Sequence, residues 1–109
     1  MKPWDIYSWK APGMEKAHPA VILGTADRVA LKPQVNILVC TSQKAGRIAQ
    51  AHETLLDQAD GLEWETLCRC DLVYAVEKSQ LSNKRGQVIV ERRRQMAGKV
   101  IQGLGLAGL

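Results

Sequence analysis

Phenylalanine is absent from the 109 residues. Trp4, Trp9, Trp64, Tyr7 and Tyr74 therefore supply all the aromatic bulk, and each carries a polar atom that needs a partner where it is buried. Cysteine is scarce and odd in number: Cys40, Cys68 and Cys70 do not make the even set of a small secreted disulfide scaffold. No apolar run approaches bilayer-spanning length, and the opening Met1-Lys2-Pro3-Trp4-Asp5 lacks the apolar segment of a secretory signal. The expectation is a cytoplasmic protein with reduced thiols and no membrane association. Gly-x-Gly-x-x-Gly, Walker and Gly-x-Ser-x-Gly patterns are missing too, which leaves a nucleotide cradle or a nucleophile elbow unsupported.

What is present is ordinary for one globular domain: 46% hydrophobic and 24% charged residues, enough for one core over residues 1–109 but not for two. The formal net charge of +4 permits an anionic partner such as RNA without requiring one.

Aromatic and β-branched residues make Trp4–Trp9 a strand, ended by Ala11-Pro12-Gly13. After a polar loop through Glu15 and His18, Pro19 opens a second strand, Ala20–Leu23, whose unbroken apolar run predicts burial on both faces. Residues 24–34 hold Gly24, Asp27 and Pro33 and read as a loop. Val35–Thr41 is a third strand, with Ser42–Arg47 as its polar exit. His52–Leu56 is a weaker strand, and 57–67 reads as a turn followed by a short helical piece around Trp64. Cys68–Val76 reads as the last long strand, and Lys84-Arg85-Gly86 as a turn.

From Val90 the period becomes helical: Met96, Ala97, Val100, Ile101 and Leu104 fall on one stripe, and Gly103 and Gly105 end it. Arg92, Arg93 and Arg94 fan around this helix and read as solvated surface. Strands without crossover helices exclude a doubly wound fold. A mainly β domain follows, a meander curled into a small barrel over 3–88 with one C-terminal helix over 90–103.

Alternation along Cys68–Val76 puts Cys68, Cys70, Leu72, Tyr74 and Val76 on a core face and Arg69, Asp71 and Val73 on the other. An acid and a base then stand two residues apart on one side, an arrangement that on spacing alone is more often a surface ion pair. Thr41, at the end of its strand, is placed to hold a phosphate oxygen or to cap a turn. His18, at the mouth of the second strand, is a residue type that exchanges protons near neutral pH. Cys68-x-Cys70 with Cys40 and a histidine would give four metal ligands, but zinc half-sites use wider spacings and alternation turns both thiols into the core. No metal or other cofactor is expected.

Four segments in order give the chain its resemblance to the MazF/PemK-type toxins of toxin–antitoxin systems, the Kid-like branch included. Trp4-Asp5-Ile6-Tyr7 resembles their opening strand, with Trp4 in a glycine's place. Gly13-Met14-Glu15 and His18-Pro19-Ala20-Val21-Ile22 are similar to the loop and second strand. Val39-Cys40-Thr41-Ser42-Gln43 resembles the strand ending in a functional threonine, and Arg69-Cys70-Asp71 is similar to the Arg-Cys-Asp of the Kid-like branch.

The resemblance implies an SH3-like barrel of the MazF/PemK/CcdB type, commonly a homodimer with a cognate antitoxin, that cleaves single-stranded RNA without a metal. It maps Thr41, Arg69 and Asp71 onto active-site positions, with His18 as a further proton carrier, and Glu15, Ser42, Gln43 and Lys44 onto substrate contacts. His18 stands where many members carry arginine, and Met14 where histidine is frequent. Those two departures motivate an alternative: a toxin-like barrel that binds RNA or protein with weakened catalysis. A gyrase-poisoning relative of the same fold is a third possibility, against which the Arg69-x-Asp71 pair argues.

Overall fold

The computed structural model describes residues 1–42 and 47–109. Seven strands form one antiparallel sheet: β1 (Asp5–Trp9), β2 (His18–Leu23), β3 (Gln34–Ser42), β4 (Glu53–Leu56), β5 (Thr66–Arg69), β6 (Tyr74–Glu77) and β7 (Leu81–Gln87). Two helices accompany them, α1 (Ala26–Leu31) and α2 (Val90–Gly103). The strand order is β4-β5-β3-β2-β1-β7, with β6 pairing separately to β3.

Strand β2 is buried on both faces, as its apolar run predicts. Val21 joins Ile6, Leu38, Cys40, Leu56, Cys68, Val88 and Met96 in one core. Ala20 and Ile22 join Val29, Val35, Ile37 and Val76 in a second. Each fully buried aliphatic side chain contributes about 1.5–3 kcal/mol, so a two-sided strand between such cores is a rigid reference for whatever its ends carry.

The first core draws on Leu56 of β4 at one end of the sheet and on Val88, the residue just after β7 at the other, so the sheet curls round it. Among the described residues no ladder joins β4 to β7. The segment after β4 packs against β7 instead. A Cβ on Gly86 would lie 2.0 Å from the Asp60 carbonyl oxygen, so only glycine permits that approach.

Several elements differ from the sequence reading. The stretch 24–34 is not all loop: α1 forms there, with the Thr25 hydroxyl accepting from the Arg28 N–H at 3.3 Å and Val29 buried. Six residues are too few for a helical period to declare itself. The 57–67 segment holds a 3₁₀ turn at Gln58–Asp60, closed by a reciprocal Asp57/Asp60 capping box, while Trp64 lies outside any helix.

The single strand expected over 68–76 is two. Strand β5 pairs Cys68 with Cys40, whereas β6 pairs Tyr74 with Ile37, so three extra residues intervene and the alternation breaks. Leu72 and Tyr74 are consequently 42% and 43% exposed rather than buried. Lys84-Arg85-Gly86 is no turn but part of β7, paired to β1 through two irregularities.

Helix α2 occupies the expected span, yet two of its three arginines are engaged. Arg92 pairs with Asp57 at 3.1 Å and with buried Asp60, and Arg93 Nε donates to the Val88 carbonyl at 2.8 Å. Only Met96 of the apolar stripe is fully buried; Ile101 and Leu104 remain about half exposed.

Candidate functional site

Register brings the ends of β2 and β3 together. Ala20 faces Val39, and two further residues along each strand stand His18 and Thr41, on the same sheet face by alternation. Both line a pocket of about 270 Å³ with Ser42, Lys16, Trp64 and Arg85. Among the described residues no carboxylate lines it. Lys16 comes from the loop ahead of β2, Arg85 from β7, and Trp64 from the segment ahead of β5. The Trp64 indole N–H donates to Ser42 Oγ at 3.0 Å, which ties the ring to the end of β3 while half of it stays exposed.

The chemistry available there is a protonatable imidazole, two hydroxyls, an ammonium, a guanidinium and an aromatic face. That set suits a ligand with a phosphate and a base. A larger hollow of about 530 Å³, which Trp64 also lines, carries Asp57 and Glu65 instead of cations.

Arg69 and Asp71 do not line the pocket. Arg69 donates to Asp71 through Nε at 3.2 Å and through its terminal nitrogen at 3.1 Å. This fork holds the Asp71 carboxyl below the usual carboxylate range and raises the guanidinium in turn. Arg69 lies two residues along β5 from Leu67, the partner of Thr41. It therefore shares Thr41's face as a diagonal neighbour, at about 7–8 Å between backbones. The end of α2 seats Asp71: a Cβ on Gly103 would come within 2.8 Å of the Asp71 Cα.

Of the remaining expected contacts, Glu15 is exposed in the loop ahead of β2 and does not line the pocket. Gln43 and Lys44 lie outside the described residues. The three thiols are buried in the first core. Hydrogen bonding with Cys40, then with Cys70, and burial push the Cys68 thiol well up, whereas hydrogen bonding with Cys68 lowers the Cys70 thiol to about 7.

Sequence reasoning did not single out Lys16, Trp64 or Arg85 as site residues. Trp64 was legible as an aromatic needing a polar partner. Arg85 carried no signal, because its part in the site depends on how β7 pairs.

A sheet curled round one core, with a terminal helix and a carboxylate-free basic pocket at the paired ends of two central strands, defines a small β-fold class. No family model matches the chain, and no curated protein matches it by sequence. Among solved structures, toxin MazF-mt6 of Mycobacterium tuberculosis is similar at TM-score 0.78 and 20% identity, over 94% of this chain and 97% of that one. A mycobacterial endoribonuclease solved in complex with its cognate antitoxin is similar at 0.82 and 16%, over 100% and 99%. A MazE–MazF structure from Deinococcus radiodurans is similar at 0.74 and 15%, over 98% of each chain. The chain has the MazF fold, and no helix among its described residues is long and apolar enough to cross a membrane.

Proposed function

We propose that residues 1–109 form one MazF-like toxin domain that cleaves single-stranded RNA without a metal. It acts in the cytoplasm as a homodimer, with a cognate antitoxin as partner. One observation carries the reading: His18, Thr41 and Ser42 meet two cations in a pocket without a carboxylate. The fold shared with a mycobacterial endoribonuclease and with MazF of MazE–MazF structures supports the activity and the partner.

The reaction uses the RNA's own nucleophile. The ribose 2′-oxygen attacks the adjacent phosphorus and loses its proton to a base. The bond from phosphorus to the 5′-oxygen breaks, and that oxygen takes a proton. The products are a 2′,3′-cyclic phosphate and a 5′-hydroxyl. His18 moves the proton, because Asp71 is engaged by Arg69. Thr41 bonds a phosphate oxygen. Arg69, on the same face, supplies positive charge as the five-coordinate phosphate develops, and Asp71 positions it.

Incubating the purified chain with a mixed RNA pool in EDTA tests this. The expected result is cleavage to cyclic-phosphate ends that Thr41→Ala suppresses; RNA left intact at every protein concentration would sink it. The fork between Arg69 and Asp71 also favours a second reading, a binding module with weakened catalysis. It forecasts RNA retention that declines with salt and no turnover.

A further inference from the structure

We propose that Arg85 is the phosphate-anchoring cation of the pocket and Trp64 its base platform, so that the pair, rather than the strand-end hydroxyls, sets how tightly the site holds RNA. The inference rests on the RNA reading above and extends it to two residues that neither motif nor alternation marks.

Arg85 reaches the pocket by a defect in pairing. On β7, Gly86 faces Ile6 and Lys84 faces Tyr7. Adjacent residues of β1 therefore meet residues two apart on β7, and Arg85 is the extra one. A bulge of this kind turns a side chain away from the direction that strict alternation would give it.

The backbone on either side of the bulge is held. Lys84 pairs with the buried Asp5 at 3.4 Å, and the Gln87 side chain donates to the same carboxylate at 3.0 Å. Gly86 is pressed against the carbonyl of Asp60, and a Cβ on Gly61 would lie 3.2 Å from the Arg85 carbonyl oxygen. Arg85 is thus fixed by its neighbours on both sides.

Its guanidinium is the contrast. Arg47, Arg69 and Arg92 each pair with a carboxylate; among the described residues Arg85, like Arg28, Arg93 and Arg94, makes no ion pair, but of these four it alone lines the pocket, where it is partly buried. A planar fork of donors in that setting matches two oxygens of one phosphate, a match that an ammonium or an imidazole does not offer. Trp64 lines the same pocket, held at its N–H edge by Ser42 and 51% exposed. An indole fixed by its edge and open to solvent is a stacking surface for a base next to the anchored phosphate. A double helix keeps its bases stacked on one another, so the occupant is single-stranded, and RNA by the reading above.

The test measures binding and cutting separately. A 2′-O-methyl RNA library keeps phosphates and bases but has no free 2′-hydroxyl to attack the phosphorus, and its affinity is read by fluorescence anisotropy across a salt series. The wild-type chain is expected to bind it. Arg85→Gln should weaken binding about tenfold or more and flatten the logarithmic salt slope by about 0.7, the value for one phosphate contact on a single strand. Arg85→Lys should restore the slope but not the full affinity. Trp64→Leu should weaken binding about tenfold and leave the slope unchanged.

Thermal unfolding of each variant at the wild-type temperature certifies the fold, and Arg85→Lys, which keeps the stem and the charge, covers a misfolded glutamine variant. Arg85→Gln that binds and cuts like wild type overturns the inference and leaves the ribonuclease reading standing. Binding with the forecast losses but no cleavage of ordinary RNA supports the inference and overturns the ribonuclease. A wild-type chain that neither binds nor cuts overturns both.

Discussion

Two regions flank the 57–64 segment and treat charge in opposite ways. On the α2 side, Asp60 is buried, accepts from the backbone N–H of Asp57 and of Ile89 at 3.0 and 2.9 Å, and pairs with Arg92. Asp57, Asp60 and Arg92 there answer one another from within the chain. On the β7 side, Lys16, His18 and Arg85 line a pocket with no carboxylate. Charge answered internally joins elements distant in sequence, here α2 to the loop after β4. Charge left unanswered beside an open pocket is available to a ligand. Arg69 and Asp71 stand between the two: paired with each other, yet exposed by 45% and 27% at their side chains.

The largest expected effect breaks the first region. Arg92→Ala leaves the buried Asp60 carboxylate without its cation and should cost about 3–5 kcal/mol, measured by urea unfolding. A loss below 1 kcal/mol would show that the two backbone donors suffice. In the second region the sign of the result reverses. Thr41→Ala or His18→Ala should lower RNA cleavage about 10²-fold or more with an unfolding midpoint close to wild type. A destabilised but fully active His18→Ala would move that residue into the structural group.

The third prediction concerns pH. The Arg47 guanidinium, donating to Glu53 at 2.8 Å, holds that carboxyl at about 2 against an ordinary 4.5. A depressed carboxylate contributes stability that is complete above its unfolded value and disappears as pH falls through the folded one. Between about pH 5 and 2 the chain should lose on the order of 2 kcal/mol through this group, allowing for the solvent around Arg47. Glu53→Gln should flatten that part of the stability profile, and an unchanged profile counts against the pair.

The smallest effect sharpens the intermediate case. Arg69→Ala should change stability by less than about 1 kcal/mol, as for an exposed pair, while reducing cleavage. Cleavage at the wild-type rate would place Arg69 outside the site altogether.

Legibility followed the length over which a pattern repeats. Strands β1 to β3 and helix α2 were readable because their apolar positions recur over several residues. Helix α1 was not, since it buries only Val29 in six residues. The division of 68–76 was hidden for a different reason. Both halves pair with β3, and the three-residue slip between them satisfies the partner strand rather than any local preference. Lys84-Arg85-Gly86 resembled a turn because glycine and charge mark turns, but Gly86 is needed for the close approach of Asp60. Of the residues that line the pocket, His18, Thr41 and Ser42 stand out in the sequence by their place at strand ends, while Arg85, Lys16 and Trp64 do not.

The sequence by itself determined the apolar runs that make β1 to β3 and the helical period of α2. Alternation and helical period are set by backbone geometry within one segment and need no partner. Only the tertiary structure decided which charged groups meet. That depends on the register between β1, β2, β3 and β7, where a single extra residue redirects Arg85 into the pocket, and on the seat that α2 provides for Asp71. Pairings between distant segments are chosen by the burial of both cores together, and no local pattern encodes that choice.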